Sequence, residues 1–383
     1  MIKVLFLTHW YPSPDDPGHG TFIREHAKAI ALAGAVPHIL HIRIVDGGWR
    51  TRLRTEPLSD GTMQGTRITI ASRLWKFIYI LYPWQLWLVR KAIADRDLDI
   101  AGYDMVHSQV VHPSGVIGDA LAEQHGKPHV ISEHWTRVER YFKRDLLRWQ
   151  GRRAYERAAR IMPVSTYLAE IVRRYVRDPA KVQVVPNVVP SGAFTYKAQP
   201  EHKDLRFLMV ARWERTKVPH KRPDLAIDAV ASLQVGMDRQ IRLTLIGKGG
   251  RRTELEQRAR EKGVWIEMAG HRSKPQIAEE LQQADLFLHP TERETFSVVV
   301  AEALKCGTPV VASNVQALPE LVRPGQGVLV ENTVDAWVEG IRKALASHYD
   351  RAAIARAWAD RFTYTEVGER FLAIYRQVLH KPE

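Results

Sequence analysis

The 383-residue chain has one cysteine, Cys306. A lone thiol excludes an internal disulfide framework and any all-cysteine metal site, and it points to a reducing compartment. Long apolar runs are also missing. The longest, residues 77–89, is broken by Pro83 and Gln85 and falls short of the ~20 residues that a spanning helix requires. Acidic residues are in deficit, 43 against 56 Lys and Arg, which leaves a net charge of +13. Low-complexity tracts and short repeats are absent, and the 16 histidines show no metal-ligand spacing, so no metal is expected. At the N-terminus a short apolar run meets His9-Trp10-Tyr11-Pro12 without a small-residue cleavage site. It reads as a buried first strand rather than a signal peptide, and a cytoplasmic protein is expected. With 45% hydrophobic and 26% charged residues, the chain belongs with soluble globular proteins rather than disordered or fibrous ones.

What is present alternates. Short β-branched runs at 3–8, 36–44, 104–107, 129–132, 161–164 and 182–185 are separated by amphipathic stretches such as 22–33 and 113–124. The pattern restarts at 205–211 and continues at 242–246, 264–269, 285–289 and 309–312, with helical stretches at 224–233, 252–262, 276–283 and 297–305. Strand–helix alternation predicts parallel sheets covered by helices, hence the α/β class. The length suits two domains. The seam is 186–200, which holds three prolines and no clear period. Ligands of such sheets bind at the carboxyl ends of strands, so a cleft between two domains is the default site.

The densest group of chemistry-bearing residues is His289-Pro290-Thr291-Glu292-Arg293-Glu294-Thr295-Phe296-Ser297, followed by Glu302 and then Gly307-Thr308-Pro309-Val310-Val311-Ala312. It sits where a predicted strand ends and a helix begins. Glu302 falls two turns beyond Glu294 on one face, and the first N–H groups of that helix form an anion site. This spacing resembles the E-x7-E motif of glycosyltransferase family 4, the retaining nucleotide-sugar transferases with a GT-B fold. Met209-Val210-Ala211-Arg212, Lys221-Arg222-Pro223-Asp224-Leu225, Leu245-Ile246-Gly247-Lys248-Gly249, Val164-Ser165 and Val185-Pro186-Asn187 fit the same family in the same order, over nearly the whole chain.

The resemblance implies two Rossmann-like doubly wound domains facing a central cleft. Residues 1–189 plus 364–383 would form an acceptor domain, with the final helix crossing back onto it, and 200–363 a nucleotide-sugar domain. It implies a UDP- or GDP-sugar substrate and no cofactor or metal. Arg212 and Lys221 would hold the diphosphate. The family places its lysine about five residues after the arginine, which selects Lys217, but the run after Lys221 matches the helix that follows. Glu302 would accept hydrogen bonds from the ribose, and Glu294 would face the transferred sugar. The backbone N–H groups of Thr295, Phe296, Ser297 and Val298 would bind the diphosphate or sugar. The turn at Gly247 would lie near the nucleotide, Gly20 near the diphosphate and acceptor, and His134 would hydrogen-bond the donor sugar. Where the family often has glycine, this chain has Thr295 and Ser297.

The charge is uneven. Residues 1–190 carry 27 Lys and Arg against 18 Asp and Glu, +9 of the total +13. Segment 73–87 mixes aromatics with cations, and 135–160 holds nine basic and three acidic residues. This pattern predicts peripheral contact with an anionic membrane, at its inner face, and a glycan or lipid-linked acceptor. A nucleic-acid partner is not expected, because no recognition motif accompanies the charge. The readings left open are another GT-B enzyme, an epimerase or a phosphorylase, and an inactive glycan- or membrane-binding scaffold.

Overall fold

The structure, a computed structural model, describes residues 1–61, 63–199, 201–215 and 220–379. It divides into two compact units, Met1–Val188 with Tyr364–Glu383, and Val189–Thr363.

The first unit is built on seven strands: β1 (Lys3–Thr8), β2 (Val36–Val45), β3 (Arg52–Ser59), β4 (Gln64–Ala71), β5 (Met105–Gln109), β6 (His129–Glu133) and β7 (Arg160–Pro163). Their order is β3-β4-β2-β1-β5-β6-β7, parallel except where β3 runs against β4. β1 explains why an unbroken apolar run makes a strand here. Val4 and Phe6 enter the core on one face, and Leu5 and Leu7 enter the core on the other, as a doubly covered parallel sheet requires. The hairpin of β3 and β4 was not visible in the sequence. β3 is an edge strand that carries Arg52, Arg54, Glu56 and Pro57 with much of its length exposed, features that suit an edge and erase the apolar alternation.

The strand expected at 182–185 is instead a single bridge between Ile161 and Val182. Gln183 and Val185 donate to the carbonyls of Ile161 and Pro163 at 2.9 and 3.0 Å. Pro163 has no N–H to return, so the ladder stops. The helix Tyr364–Leu379 packs on the helix Thr21–Leu32, with Phe371 against the His26 ring at 5.0 Å.

The second unit has six strands, β8 (Leu205–Val210), β9 (Ile241–Ile246), β10 (Trp265–Gly270), β11 (Leu286–His289), β12 (Val310–Ser313) and β13 (Gly327–Val330). They are all parallel, in the order β10-β9-β8-β11-β12-β13. The order reverses between β8 and β11, which makes their carboxyl ends the switch point where such sheets take ligands. β13 and the helix Val334–Ala346 had no counterpart in the sequence reading; β13 is four residues long.

Candidate active site

β11 ends on the buried His289, and the chain turns through 290–297 into the helix Val298–Lys305. A two-residue antiparallel contact lays Lys221 along this turn. Lys221 bridges Thr291, Arg222 N–H donates to the Pro290 carbonyl at 3.0 Å, and Glu292 N–H donates to the His220 carbonyl at 2.8 Å. The Lys221 ammonium consequently donates to Glu294 Oε2 at 2.7 Å and lies 3.1 Å from His289 Nε2. That ring nitrogen is also 3.2 Å from Glu294 Oε2 and 3.1 Å from Ser297 Oγ. Gln316 completes the clasp by accepting from Glu294 N–H at 2.7 Å.

The electrostatics follow from this packing. Burial holds the His289 imidazole down to about 4, helped by the neighbouring Lys221 charge, so the ring is neutral at pH 7. Burial opposes ionisation of Glu294. The Lys221 ammonium and the His289 ring outweigh it and hold the carboxyl well below the usual range. An ionised carboxylate, an ammonium and a neutral imidazole therefore converge at one strand end.

Of the expected anion donors, Thr295 and Phe296 N–H point back onto Glu294 Oε1, at 3.0 and 3.4 Å. An incoming anion at those two groups would have to displace that carboxylate. Val298 opens the helix, where an N–H has no intrahelical acceptor by geometry. Ser297 has φ 62°, the left-handed region that favours glycine, and its hydroxyl contact with His289 offsets part of that cost. The Phe296 side chain packs edge-on against Phe362 at 5.1 Å and anchors the turn to the core.

Glu302 is fully buried, and its Oε1 accepts from the ammonium of Lys274, the first residue of the helix Lys274–Gln283. The structure thus makes two lysine–glutamate pairs, Lys221 with Glu294 and Lys274 with Glu302. Arg212 is exposed in the loop after β8. Lys217 lies outside the described residues. Cys306 is buried, with its thiol pushed up to about 12 by burial, so it is no nucleophile.

Gly247 has φ 142°, and a Cβ there would sit 1.8 Å from the Ala211 carbonyl oxygen. Its glycine is required by the close approach of β9's end to the loop carrying Arg212. Gly247→Ala should destabilise the second unit by about 2–4 kcal/mol. The check is a lower urea midpoint at unchanged slope; an unshifted midpoint would show that the loop yields freely.

In the first unit Gly20 is left-handed (φ 67°) and caps the helix Thr21–Leu32 against Trp10, whose carbonyl carbon a Cβ would meet at 2.5 Å. His134 follows β6 and is buried. Its Nε2–H donates to Gln109 Oε1 at 2.9 Å, and its ring packs on Phe22 and His26 at 4.9 and 5.1 Å. Beside it, the buried Glu133 accepts from Val111, His134 and Trp135 N–H, each at 3.0 Å, and from Tyr155 Oη–H at 2.9 Å. That carboxylate organises the loops after β5 and β6.

The Glycosyl transferases group 1 family matches residues 195–360, and Glycosyltransferase Family 4 matches residues 18–191. A D-inositol 3-phosphate glycosyltransferase of Actinosynnema mirum is 30% identical over 308 residues, covering 72% of each chain. The chain belongs to the group 1 glycosyltransferases of family 4. A GDP-mannose-dependent alpha-(1-6)-phosphatidylinositol dimannoside mannosyltransferase of Mycobacterium tuberculosis is 34% identical to this chain over 156 residues, and the match spans 40% of that relative's length and 40% of this chain. Among solved structures, Anabaena HepE in complex with UDP superposes with a TM-score of 0.72 at 18% identity, covering 98% of this chain and all of that one. A likeness at that identity is one of fold: two Rossmann-like domains, the GT-B arrangement.

Three residues of the candidate site have no role assigned from the sequence: His289, Lys274 and Gln316. The signal for His289 was its place at a strand's carboxyl end. Lys274 lies 28 residues before its partner and Gln316 22 residues after Glu294, separations for which no local pattern exists.

Proposed function

We propose that the protein is a retaining hexosyltransferase that moves a sugar from a nucleoside diphosphate to a cell-envelope glycan or lipid-linked acceptor. The observation that carries this reading is the Lys221–Glu294–His289 cluster at the strand switch point, at the mouth of the helix bearing Glu302. Breaking an anomeric C–O bond leaves negative charge on the diphosphate and positive charge on the ring. A fixed ammonium and a helix N-terminus stabilise the first, and an ionised carboxylate the second. Arg212 joins Lys221 on the diphosphate, and Glu302 takes the ribose hydroxyls. In the transfer step the anomeric carbon parts from the phosphate oxygen, and the acceptor oxygen bonds to the same face. The acceptor proton passes to the departing phosphate oxygen. A relative that is GDP-mannose-dependent and a structural neighbour complexed with UDP support a nucleoside diphosphate donor. The anomeric coupling constant of the product, read by proton NMR, should match that of the donor; an inverted product would overturn the retaining assignment.

The same reading places the first unit at an anionic membrane. Phe77 and Trp87 are 60% and 59% exposed, on consecutive helices Trp75–Ile80 and Tyr82–Ala94 that also carry Lys76, Arg90 and Lys91. Aromatic anchors flanked by cations suit the headgroup boundary. Among the described residues no helix is long and apolar enough to cross a membrane.

A further inference from the structure

A groove of about 540 Å³ lies wholly within the first unit, between the helix Asp145–Arg157 and the turn that follows the helix Thr166–Arg173. Five arginines line it: Arg148, Arg152, Arg153, Arg174 and Arg177. Two carboxylates share the lining, Asp145 and Glu156, and both are already engaged. Asp145 accepts from Arg148, and Glu156 accepts from the Arg177 backbone N–H at 2.7 Å. Arg153 is turned toward Glu123 at 2.8 Å, and Arg174 lies 3.6 Å from Glu139. Among the described residues Arg152 and Arg177 make no ion pair.

The walls are fixed rather than loose. Tyr175 is stacked on Phe142 at 3.9 Å and 13°. The Lys181 ammonium donates to the Glu156 carbonyl at 2.7 Å, which ties the far end of the turn to the helix. Trp149 is 58% exposed on the other side of the groove. Arg148, Arg153 and Arg174 are already paired with carboxylates, so the cationic excess of the groove rests on Arg152 and Arg177, and an anion placed between them lowers their mutual repulsion. Guanidinium forks match phosphate oxygens bidentately, and the indole offers a flat face to whatever carries the phosphate.

We propose that this groove is a binding site for a phosphate ester, held by Arg152 and Arg177 with Arg148 and Arg174 around it. The groove is built entirely from residues of the first unit, and the proposal does not depend on the transferase reading. The phosphate belongs either to a lipid headgroup or to a soluble phosphorylated compound, and two probes tell them apart.

The experiment compares the native chain with Arg152→Ser/Arg177→Ser, and with Arg50→Ser/Arg52→Ser, which removes the same charge from an exposed edge elsewhere in the unit. Glycerol phosphate is titrated calorimetrically, and phosphatidylcholine vesicles with phosphatidylglycerol are used in flotation. The native chain and the edge variant should bind a probe alike, and the groove variant about tenfold or more weakly. Binding of glycerol phosphate alone assigns a soluble ligand. Vesicle binding displaced by glycerol phosphate assigns a headgroup. The proposal falls if the native chain binds neither probe, or if the groove variant binds as tightly as the native chain. Flotation that persists unchanged in the groove variant would leave membrane contact standing and remove the groove from it. Circular dichroism of the groove variant checks that both units remain folded.

Discussion

Lys221→Met should lower kcat by about a hundredfold to a thousandfold, the usual loss when one preorganised charge is removed from a developing anion. The substitution has two consequences, and they separate experimentally. It removes the ammonium proposed to meet the leaving diphosphate. It also leaves Glu294, whose side chain is only 16% exposed, without the charge that keeps it ionised, so its carboxyl should rise and stability should fall. A second change, Glu294→Gln, removes the stranded charge. The double variant should therefore recover stability by about 1–3 kcal/mol over Lys221→Met, while its kcat stays low. Lys221→Arg keeps the charge but replaces a point ammonium by a fork that does not fit the 2.7 Å contact, and intermediate activity is expected. Steady-state kinetics beside thermal melts provide the readout. A single variant with native kcat would remove Lys221 from the chemistry.

Acid should unfold the first unit before the second. Burial is the leading cause at every histidine concerned. His9 and His129 are held to about 3, and His26 and His112 to about 4, all in the first unit; in the second, His289 is held to about 4. His9 lies 2.8 Å from Ser114 Oγ and 2.6 Å from Gln85 Nε2 and is partly buried, and the fully enclosed His129 lies 2.9 Å from Ser108 Oγ. The ordinary value of 6.5 applies to the unfolded chain. A folded value below the unfolded one means that the unfolded chain binds more protons as pH falls. Stability is therefore complete above about pH 6.5 and declines from there toward about pH 4. Each such histidine contributes a slope approaching about 1.4 kcal/mol per pH unit. Four acting together match a typical total stability of about 5–15 kcal/mol within two or three units. Calorimetry between pH 7 and 4.5 should show the lower transition falling steeply and the other moving less. A pair of transitions that shift in parallel, or not at all, would contradict this account.

Much of the site was legible because its residues report on local geometry. Glu294 and Glu302 sit in one strand–turn–helix segment, as the local pattern indicates, but the expected shared helix face is not formed: the helix begins at Val298 after the left-handed Ser297, so Glu294 belongs to the turn and the helix period does not extend to it. Gly20 and Gly247 were legible as turns, since only glycine tolerates the approach that each makes to a neighbouring carbonyl. His134 was legible only as the end of a strand. The network that encloses it joins Gln109, His107 at 3.0 Å and, beyond that, Tyr375 at 2.7 Å, and the last of these is a residue of the final helix. What Glu302 touches was not legible at all, because Lys274 reaches it from a helix packed beside its own.

The sequence by itself determined the α/β alternation, the strands buried on both faces and the position of the glutamate-bearing helix, because these depend on apolar period and on turn chemistry within a few residues. Only the tertiary structure decided that Lys221 faces Glu294 rather than solvent, that Glu302 pairs with Lys274, and that five arginines line one groove. Each of these is a meeting of residues brought together by strand order and helix packing, and the energy of a charge depends on what lies within a few ångströms of it rather than on its neighbours along the chain.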